Sequence, residues 1–348
     1  IGAVAPEQTP ETFGEPTYHV DASRGLELYT LNEAFQDEDI NAIFERTVTS
    51  PLIPAPHCRL AAAARAALLS GLVVYVQPTL DDSGVPTEET LTLRTDISSS
   101  AADLVVIIAK TGARLRIESV LSGTDHTAVF ARTYIVVTEE DAKVTMTISG
   151  ETGVFVQEEV IGLVGPHAVF RVLDLLESTT ARRQAINTQL LGNEGFAEVE
   201  HAIISEGNQA IDIHAVILHR ASDTVSRVFC RGVAAGNSRV VYQGSVRMQE
   251  GVRHTDGSED GRFVSISPTA RVDAIPALDI ASKEVHSSHK LAITHVRPED
   301  RFYAEGHGMS EQSALALMLE GHIGALPSFG EGLPESLLSR IERVTKHV

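Results

Sequence analysis

Cysteine is nearly absent from this chain, which has only Cys58 and Cys230 among its 348 residues. Two thiols so far apart in sequence make neither a disulfide framework nor a CxxC metal knuckle. Their scarcity excludes the small disulfide-rich secreted class, and the simplest interpretation is a reducing, cytoplasmic compartment. The first residues also lack the basic and apolar regions of a secretory signal, so we expect none.

Long apolar runs and lysine are scarce as well. No apolar run reaches about 18 residues, so no transmembrane helix is predicted. Lysine occurs five times, and the formal net charge is −19. Such a charge repels nucleic acid and anionic lipid over about 8 Å at physiological salt. Neither is therefore an expected partner.

Several catalytic motifs are missing from the sequence. It contains no GxxxxGKS or GxxxxGKT phosphate-binding loop, no GxSxG nucleophile elbow and no HExxH zinc motif. We therefore expect that the chain binds no nucleotide directly and that any nucleotide hydrolysis comes from a partner.

The N-terminal part of the chain mixes short strands and helices. It has an acidic helix-like piece at 37–46, and an alanine-rich helix former, RLAAAARAALLSG, begins at Arg59. We predict that residues 1–70 form a small N-terminal α/β cap or arm.

From residue 91 the chain repeats short β-branched runs separated by turn pieces such as KTG, GPH and AGN. Only the segment 177–191 has a spacing compatible with a helix. Successive runs can be anchored just after their turns, and the gaps between anchors are 29, 26, 28, 14, 15, 14, 31 and 15 residues. The anchors are Ala113, Ala142, Ala168, Phe196, Ala210, Val225, Arg239, Ala270 and Val285.

These gaps lie near one or two times 14–15 residues. Two strand-turn units in a coil of about 29 residues would stack each strand on its counterpart in the next coil. The spacing therefore favours a parallel β-helix over residues 71–305. The alternative is a β-sandwich or a large β-barrel, whose hairpins would give spacings of about 8–12 residues.

The C-terminal residues 306–348 predict two short helices. Ser310 is a suitable N-cap for the first, and Pro334 suits the start of the second. Because an open coil exposes strand edges and apolar interior, the spacing alone favours helices that close the end of the solenoid. The alternative is a module that docks a partner.

Several of these runs resemble the SufB/SufD family, the scaffold subunits of the SUF-type iron–sulfur cluster assembly machinery. The resemblance runs from about Arg59 to Leu326, and its most specific part is the order of three pieces near the C-terminus. These pieces are ARVDAIPALDI, EVHSSHKLAI and RFYAEGHGMSEQSALALMLEGHI. They are similar to the family's P-x-L-x-I strand, V-x-x-S-H strand and F-Y-x-x-x-x-G-x-S helix start.

The resemblance implies a right-handed parallel β-helix with a C-terminal helical segment. That segment would bind a SufC-like ABC ATPase, and two SufB/SufD-type scaffold subunits would pair, as a homodimer or heterodimer, through their β-helices. The resemblance further implies a transient iron–sulfur cluster, which two subunits can share, and a sulfur donor such as a cysteine desulfurase. The residues implied in ATPase docking are Phe302, Tyr303, Gly308, Ser310, Leu315, Met318 and Leu319.

This chain departs from the family pattern at two places. Family members often read C-S-H-G where this chain has Ser287-Ser288-His289-Lys290, so the histidine matches and the thiol is a hydroxyl. SufB-like members also carry a functional cysteine in the region that here reads HTDGSEDGRF. The chain therefore resembles a SufD-type or short archaeal-type member, without a cysteine-rich cluster site of its own.

Three residues are candidate metal ligands. His289 offers an imidazole that can share iron with ligands from elsewhere; its alternative is a hydrogen-bonded strand histidine. Cys230 would be a thiolate ligand if exposed at a subunit junction and a small apolar residue if buried. Glu284 could give a carboxylate, although acidic residues at strand ends are usually solvated. His201, His214 and His219 match no compact metal motif, so we expect structural roles for them.

Three functions remain open from the sequence. The first is a non-catalytic scaffold for iron–sulfur cluster assembly that acts with an ATPase. The second is a carbohydrate-active lyase or hydrolase, since β-helices also carry such enzymes with acidic and basic residues in an outer groove. The third is an adaptor solenoid that binds no cluster.

Overall fold

Strands dominate the computed structural model, which describes residues 13–56, 58–66, 70–178, 180–296 and 308–346. The strands are β1 (Thr17–Ala22), β2 (Leu26–Thr30), β3 (Gly71–Val76), β4 (Glu89–Asp96), β5 (Ala101–Ala109), β6 (Arg114–Gly123), β7 (Val129–Thr138), β8 (Lys143–Thr152), β9 (Phe155–Val164), β10 (Val169–Asp174), β11 (Glu177–Ser178), β12 (Ala181–Leu190), β13 (Phe196–Ser205), β14 (Ala210–His219), β15 (Val225–Ala234), β16 (Arg239–Met248), β17 (Thr255–Ser265), β18 (Arg271–Ile280) and β19 (Val285–His295). The helices are α1 (Leu31–Gln36), α2 (Glu38–Val48), α3 (Arg59–Ala66), α4 (Glu311–Ile323) and α5 (Glu335–Thr345), with a short 3-10 turn at Pro327–Phe329.

The strands form two long sheets, and each coil of the chain contributes a strand to both. Sheet 1 has the order β1-β4-β6-β8-β10-β13-β15-β17-β19, with β11 beside β8. Sheet 2 has the order β18-β16-β14-β12-β9-β7-β5-β3-β2. All neighbours are parallel except β1 with β4 and β2 with β3. The chain is therefore a parallel β-solenoid, as predicted, and the alternative of a β-sandwich or barrel is wrong.

The register of the parallel strands explains the spacing of the sequence. Phe196 lies beside Val225, 29 positions later, and Val129 lies beside Phe155, 26 positions later. These steps match the gaps between the sequence anchors, because each anchor stands at or just before the start of a strand in one of the two sheets. Inward-facing side chains stack coil upon coil into one apolar core.

A column of left-handed residues holds the turns before the strands of sheet 1. Asp141, His167, Glu194, Asp223 and His254 have φ between 52° and 60°. Asp and His tolerate this conformation better than branched residues do. In each case the backbone N–H donates to a carbonyl of the following coil, as from His254 at 2.7 Å. The turns therefore form a hydrogen-bonded ladder of their own, which fixes where the next strand begins.

The helical interpretation of 177–191 is wrong. Its residues form β11 and β12, and β12 pairs with β9 on one side and β14 on the other. Its composition, rich in alanine, arginine and glutamine, is compatible with a helix. The ladders with β9 and β14 offer the backbone of β12 partners on both sides, and this tertiary pairing decides the structure.

The N-terminal helices cover the outer face of sheet 2. Ile40 and Phe44 of α2 are buried in a cluster with Val106. Arg65 of α3 forms an ion pair of 2.7 Å with the buried carboxylate of Glu159. This part of sheet 2 is thus buried on both faces, which explains why β5 and β9 have no polar alternation.

The C-terminal helices cover the outer face of sheet 1. Leu319 of α4 and Ile341 of α5 are buried with Ala202, Ile204 and Val233. The helices lie on this flank because the outer face of β13 and β15 is apolar and needs a cover. The prediction that they close the end of the solenoid is therefore wrong.

The first parallel strand begins at Gly71, the last ends at His295, and α4 begins at Glu311. The domain boundaries placed after residues 70 and 305 remain predictions. Among the described residues, no helix has the length and apolar character needed to cross a bilayer.

Candidate functional site at the open end of the solenoid

Within the described residues, no strand pairs with the outer edge of β18 or β19, so this last coil forms an open end of the solenoid. Each is the final strand of its sheet, and most of its residues are exposed or half-buried. Ile275, Ile280 and Ile293 are exposed there, with Ile275 38% accessible. A shallow cavity of about 540 Å³ has Ile275 and Ile293 in its lining, together with Arg239 and Arg271. Apolar side chains beside a free strand edge are typical of an interaction surface.

His289 lies on β19 at this open end. It is exposed and pairs in register with Glu259 of β17, which in turn pairs with the fully buried Val228. His289 therefore continues an inward-facing column of sheet 1 to the mouth of the solenoid. His286 faces the other way, as strand alternation predicts.

Glu259 is the residue that sequence reasoning missed. Its side chain is only 1% exposed, and neither carboxylate oxygen has a hydrogen-bond partner among the described residues. The missing side chain of Gly244 makes room for it, since a Cβ there would clash with the carboxylate. Burial raises the pKa of Glu259 to about 7, and the nearby Tyr242 hydroxyl offsets this only in part. The available signal was the strand alternation of HTDGSEDGRF, which gives position 259 an inward orientation.

Cys230 lies in the solenoid interior rather than at its open end. It is completely buried, and its register neighbours are His201 and Gly261. Burial raises the pKa of its thiol well above the usual range. The thiol is thus held in the protonated form, which is a poor metal ligand.

Glu284 is separated from His289 along the strand. It is exposed at the turn before β19, where its carbonyl accepts a hydrogen bond from His254 at 2.7 Å. Its carboxylate lies 3.8 Å from Arg253. Five residues of extended chain span roughly 16 Å, so Glu284 and His289 are too far apart to bind the same metal ion.

The predicted ligands His289, Cys230 and Glu284 are therefore not brought together. Across the described ranges, no group of three or more His, Cys, Asp or Glu side chains could hold a metal ion. The donors that the open end does offer are the imidazole of His289 and the orphaned carboxylate of Glu259. Imidazole and carboxylate both suit ferrous iron, so the residues present fit part of an iron site.

The residues implied in ATPase docking have several locations. Phe302 and Tyr303 lie outside the described residues. Gly308 has φ 83°, and the Ser310 hydroxyl caps α4 by accepting a hydrogen bond of 3.1 Å from Ser313 N–H. The remaining three belong to α4: Leu315 and Leu319 are buried and Met318 is half-buried.

Leu317 is the apolar residue that α4 presents outward, with 58% of its surface exposed. The helix buries Ala314, Leu315, Leu319 and Ile323 against the solenoid. Leu317 stands about 200° around the helix from Leu315, so it points away from that face. Apolar spacing alone did not separate it from the buried set.

Ion pairs hold α5 against the flank. The Arg340 guanidinium lies 2.8 Å from Glu177 and donates to the carbonyls of Leu175 at 3.0 Å and Ile204 at 3.2 Å. Burial raises the pKa of Glu177, although the charge of Arg340 opposes the shift. Arg343, which is partly exposed, forms a further ion pair with Glu206.

The three other histidines have hydrogen-bond partners within the fold. His201 lies 3.0 Å from Asp174 and His214 lies 2.8 Å from Asp212. His219 contacts Thr224 at 2.7 Å and Ser226 at 2.8 Å. These contacts agree with the structural roles predicted for them.

The outer face of β17 carries the acidic and basic side chains that an enzymatic groove would need. Asp260 lies 3.2 Å from Arg231 and 2.9 Å from Arg262. Burial alone would raise the pKa of Asp260, but the hydrogen bond from Arg262 and the charge of Arg231 outweigh it and lower the pKa. A carboxylate held ionised between two arginines is poorly suited to general acid catalysis.

Comparison with known protein families gives one match over most of the solenoid. Residues 91–322 match the family model described as SUF system FeS cluster assembly, SufBD core domain. The matched region begins in β4 and ends in α4, so it includes the open end and the first flanking helix.

Curated relatives have the same family description at modest identity. The iron–sulfur cluster assembly protein SufD of Bacillus subtilis (strain 168) is 24% identical over 163 residues, which are 46% of this chain and 37% of that protein. SufD of Escherichia coli (strain K12) is 24% identical over 161 residues, 46% of this chain and 38% of that one. A SufBD family protein of Mycobacterium leprae (strain TN) is 27% identical over 134 residues, 38% of this chain and 15% of that protein. The alignments thus span less than half of these relatives.

Proposed function

Because the chain belongs to the SufBD core family of the SUF system, we propose that it is a non-catalytic scaffold subunit for iron–sulfur cluster assembly. The observation that carries this proposal is the place of His289, exposed at the open end of a solenoid that matches the family core. The cluster is cargo, built transiently and then passed on. A sulfur donor such as a cysteine desulfurase supplies the sulfide, and the cysteine content favours the cytoplasm.

A second scaffold subunit of the same family is the proposed partner at the open end. The exposed Ile275, Ile280 and Ile293 support this, because they flank free strand edges that another chain can extend. Pairing there brings His289 beside the donors of the second chain. The arrangement explains how one imidazole contributes to a cluster that needs several ligands.

A SufC-like ABC ATPase is the proposed partner at the C-terminal helical segment. The chain has no phosphate-binding loop of its own, so nucleotide hydrolysis belongs to that partner. Leu317 supports docking on α4, because it is a large apolar side chain on the outward side of this helix with 58% of its surface exposed. Gly308 and Ser310 shape the start of that helix.

The test is anaerobic purification of the native complex, with iron and acid-labile sulfide analysis and mass identification of the partners. We expect an ABC ATPase and a second scaffold chain, with iron and sulfide in similar amounts. Leu317→Glu should remove the ATPase while leaving the scaffold pair intact. Leu80→Glu, at an N-terminal loop residue with 62% exposure, is the matched control and should keep it. Recovery of the chain without an ATPase, iron or sulfide would contradict the proposal.

A further inference from the structure

We infer that Glu259 and His289 bind the same divalent metal ion, each as one donor of a site that a second chain completes. The ion belongs to the first-row class that imidazole and carboxylate share, with ferrous iron as the physiological candidate. The inference rests on the proposed function, because it names the two donors that this chain brings to the shared site.

The register of β17 and β19 places Glu259 beside His289. Glu259 of β17 and His289 of β19 are direct Cα partners in a parallel ladder. Neighbouring strands lie about 4.8 Å apart, and register partners point to the same face of a sheet. Both side chains therefore face the solenoid interior at its mouth, within reach of one ion.

The Glu259 carboxylate has no cationic partner among the described residues. The Tyr242 hydroxyl is close enough to affect its pKa but makes no well-aligned hydrogen bond to it, and no arginine or lysine of the described residues forms an ion pair with it. A buried carboxylate without a partner is costly. Two other buried carboxylates of this fold have one: Asp103 lies against Arg132, and Asp174 against Arg182. A metal ion bound from solution would balance the charge of the Glu259 carboxylate in the same way.

Gly244 leaves space for the Glu259 carboxylate. Any side chain at position 244 would overlap the Glu259 oxygens, so Gly244 leaves a cradle for them. The Tyr242 hydroxyl, also without a hydrogen-bond partner, lies in the same place. The Glu259 carboxylate and the Tyr242 hydroxyl therefore lie one strand away from the exposed imidazole of His289. Together they form part of a metal site that opens towards the end of the solenoid.

The experiment is an anaerobic Co²⁺ titration of the full chain purified together with its scaffold partner, followed through the visible absorption bands of protein-bound cobalt. We expect one ion per chain in the wild type. Glu259→Gln and His289→Ala should each weaken binding by about tenfold or more. The double variant should bind no more weakly than the poorer single variant, because both residues serve one ion. Glu284→Gln, which changes an exposed carboxylate at the neighbouring turn, is the control and should bind like the wild type.

A second measurement separates a binding defect from a folding defect. Removing the buried charge in Glu259→Gln should raise the melting temperature of the metal-free protein while reducing the further rise on Co²⁺ addition. Cobalt binding by Glu259→Gln equal to that of the wild type would overturn the inference, as would an equal loss in Glu284→Gln. Co-purification of the ATPase tests the proposed function separately, since neither variant touches α4.

Discussion

The two ends of the solenoid are built differently, although the coils between them are alike. At the N-terminal end, β1 and β2 lie antiparallel on the first parallel strands. The turn between them is fastened by Glu89, which accepts hydrogen bonds from Ser23 and Thr79. At the C-terminal end, β18 and β19 have no such strands among the described residues, and isoleucines are exposed. The difference indicates that, within the described residues, one end is covered by antiparallel strands and the other presents its strand edges.

The helices at the two ends do not change this comparison. Both helical groups lie on outer faces of the sheets, α1–α3 on sheet 2 and α4–α5 on sheet 1. Covering a flank buries the apolar outer face of a few coils but leaves the terminal strand edges as they are. The open end is therefore a property of the last coil itself.

The largest effect is expected for the ion pair that holds α5. Arg340→Ala should cost about 3 kcal/mol of unfolding free energy, because it removes a buried guanidinium that pairs with Glu177 and donates to the carbonyls of Leu175 and Ile204. Glu177 then keeps only the partly exposed Arg343 as its cation. Arg343→Ala removes a guanidinium that is more than a third exposed, and the loss should be clearly smaller. Urea denaturation measures both.

The same pair of variants tests whether flank and end are independent. Association with the second scaffold chain, followed by sedimentation, should persist in Arg340→Ala. Dissociation of that variant would mean that α4 and α5 contribute to the open end after all.

The next effect concerns association at the open end. Ile275→Lys should weaken pairing with the second scaffold chain by about 100-fold, or about 2.7 kcal/mol, since it places a charge at the centre of an apolar contact. Val20→Lys is the matched control at the opposite end, on β1, where Val20 is 39% exposed. Sedimentation equilibrium of both proteins gives the comparison. Equal weakening by the two substitutions would show that the ends do not differ in this way.

The smallest effect is expected at the closed end. Hydrogen bonds from Ser23 and Thr79 outweigh burial and lower the pKa of Glu89. A carboxyl with a lowered folded-state pKa stabilises the fold above its unfolded pKa, about 4.3, and the effect is lost as pH falls through the folded value. Glu89→Gln should therefore cost about 1 kcal/mol at pH 7 and progressively less in acid.

Denaturation of this variant at pH 7 and pH 3 checks the sign. Glu88→Gln, which breaks an exposed ion pair with Arg116, serves as the control and should cost little at either pH. A penalty for Glu89→Gln that grows in acid would contradict the role given to its carboxylate.

The solenoid was predictable because each turn repeats a backbone requirement that leaves a trace in the sequence. Asp141, His167 and Asp223 occupy equivalent left-handed positions, and the strand after each turn begins at a fixed distance. The spacing of the anchors therefore gave the coil length directly. The segment 177–191 failed because pairing with its neighbours overrides its local propensity.

The functional surface was less predictable because it depends on contacts between distant residues. The resemblance indicated His289, but only the register of β17 and β19 shows that Glu259 lies beside it. The flanking position of the C-terminal helices depends on Ala202, Ile204 and Val233, which in sequence resemble ordinary core residues of a strand. The exposure of Leu317 follows from the position of the helices on the flank, so the sequence alone did not predict it.

The antiparallel strands β1 and β2 have a consequence for the size of any assembly. A solenoid with two equivalent ends could join head to tail and grow into a filament. Here β1 and β2 reverse the strand direction at the first end, so the two ends are not equivalent. If the β18–β19 ends of two molecules pair about a two-fold axis, the assembly closes at two chains.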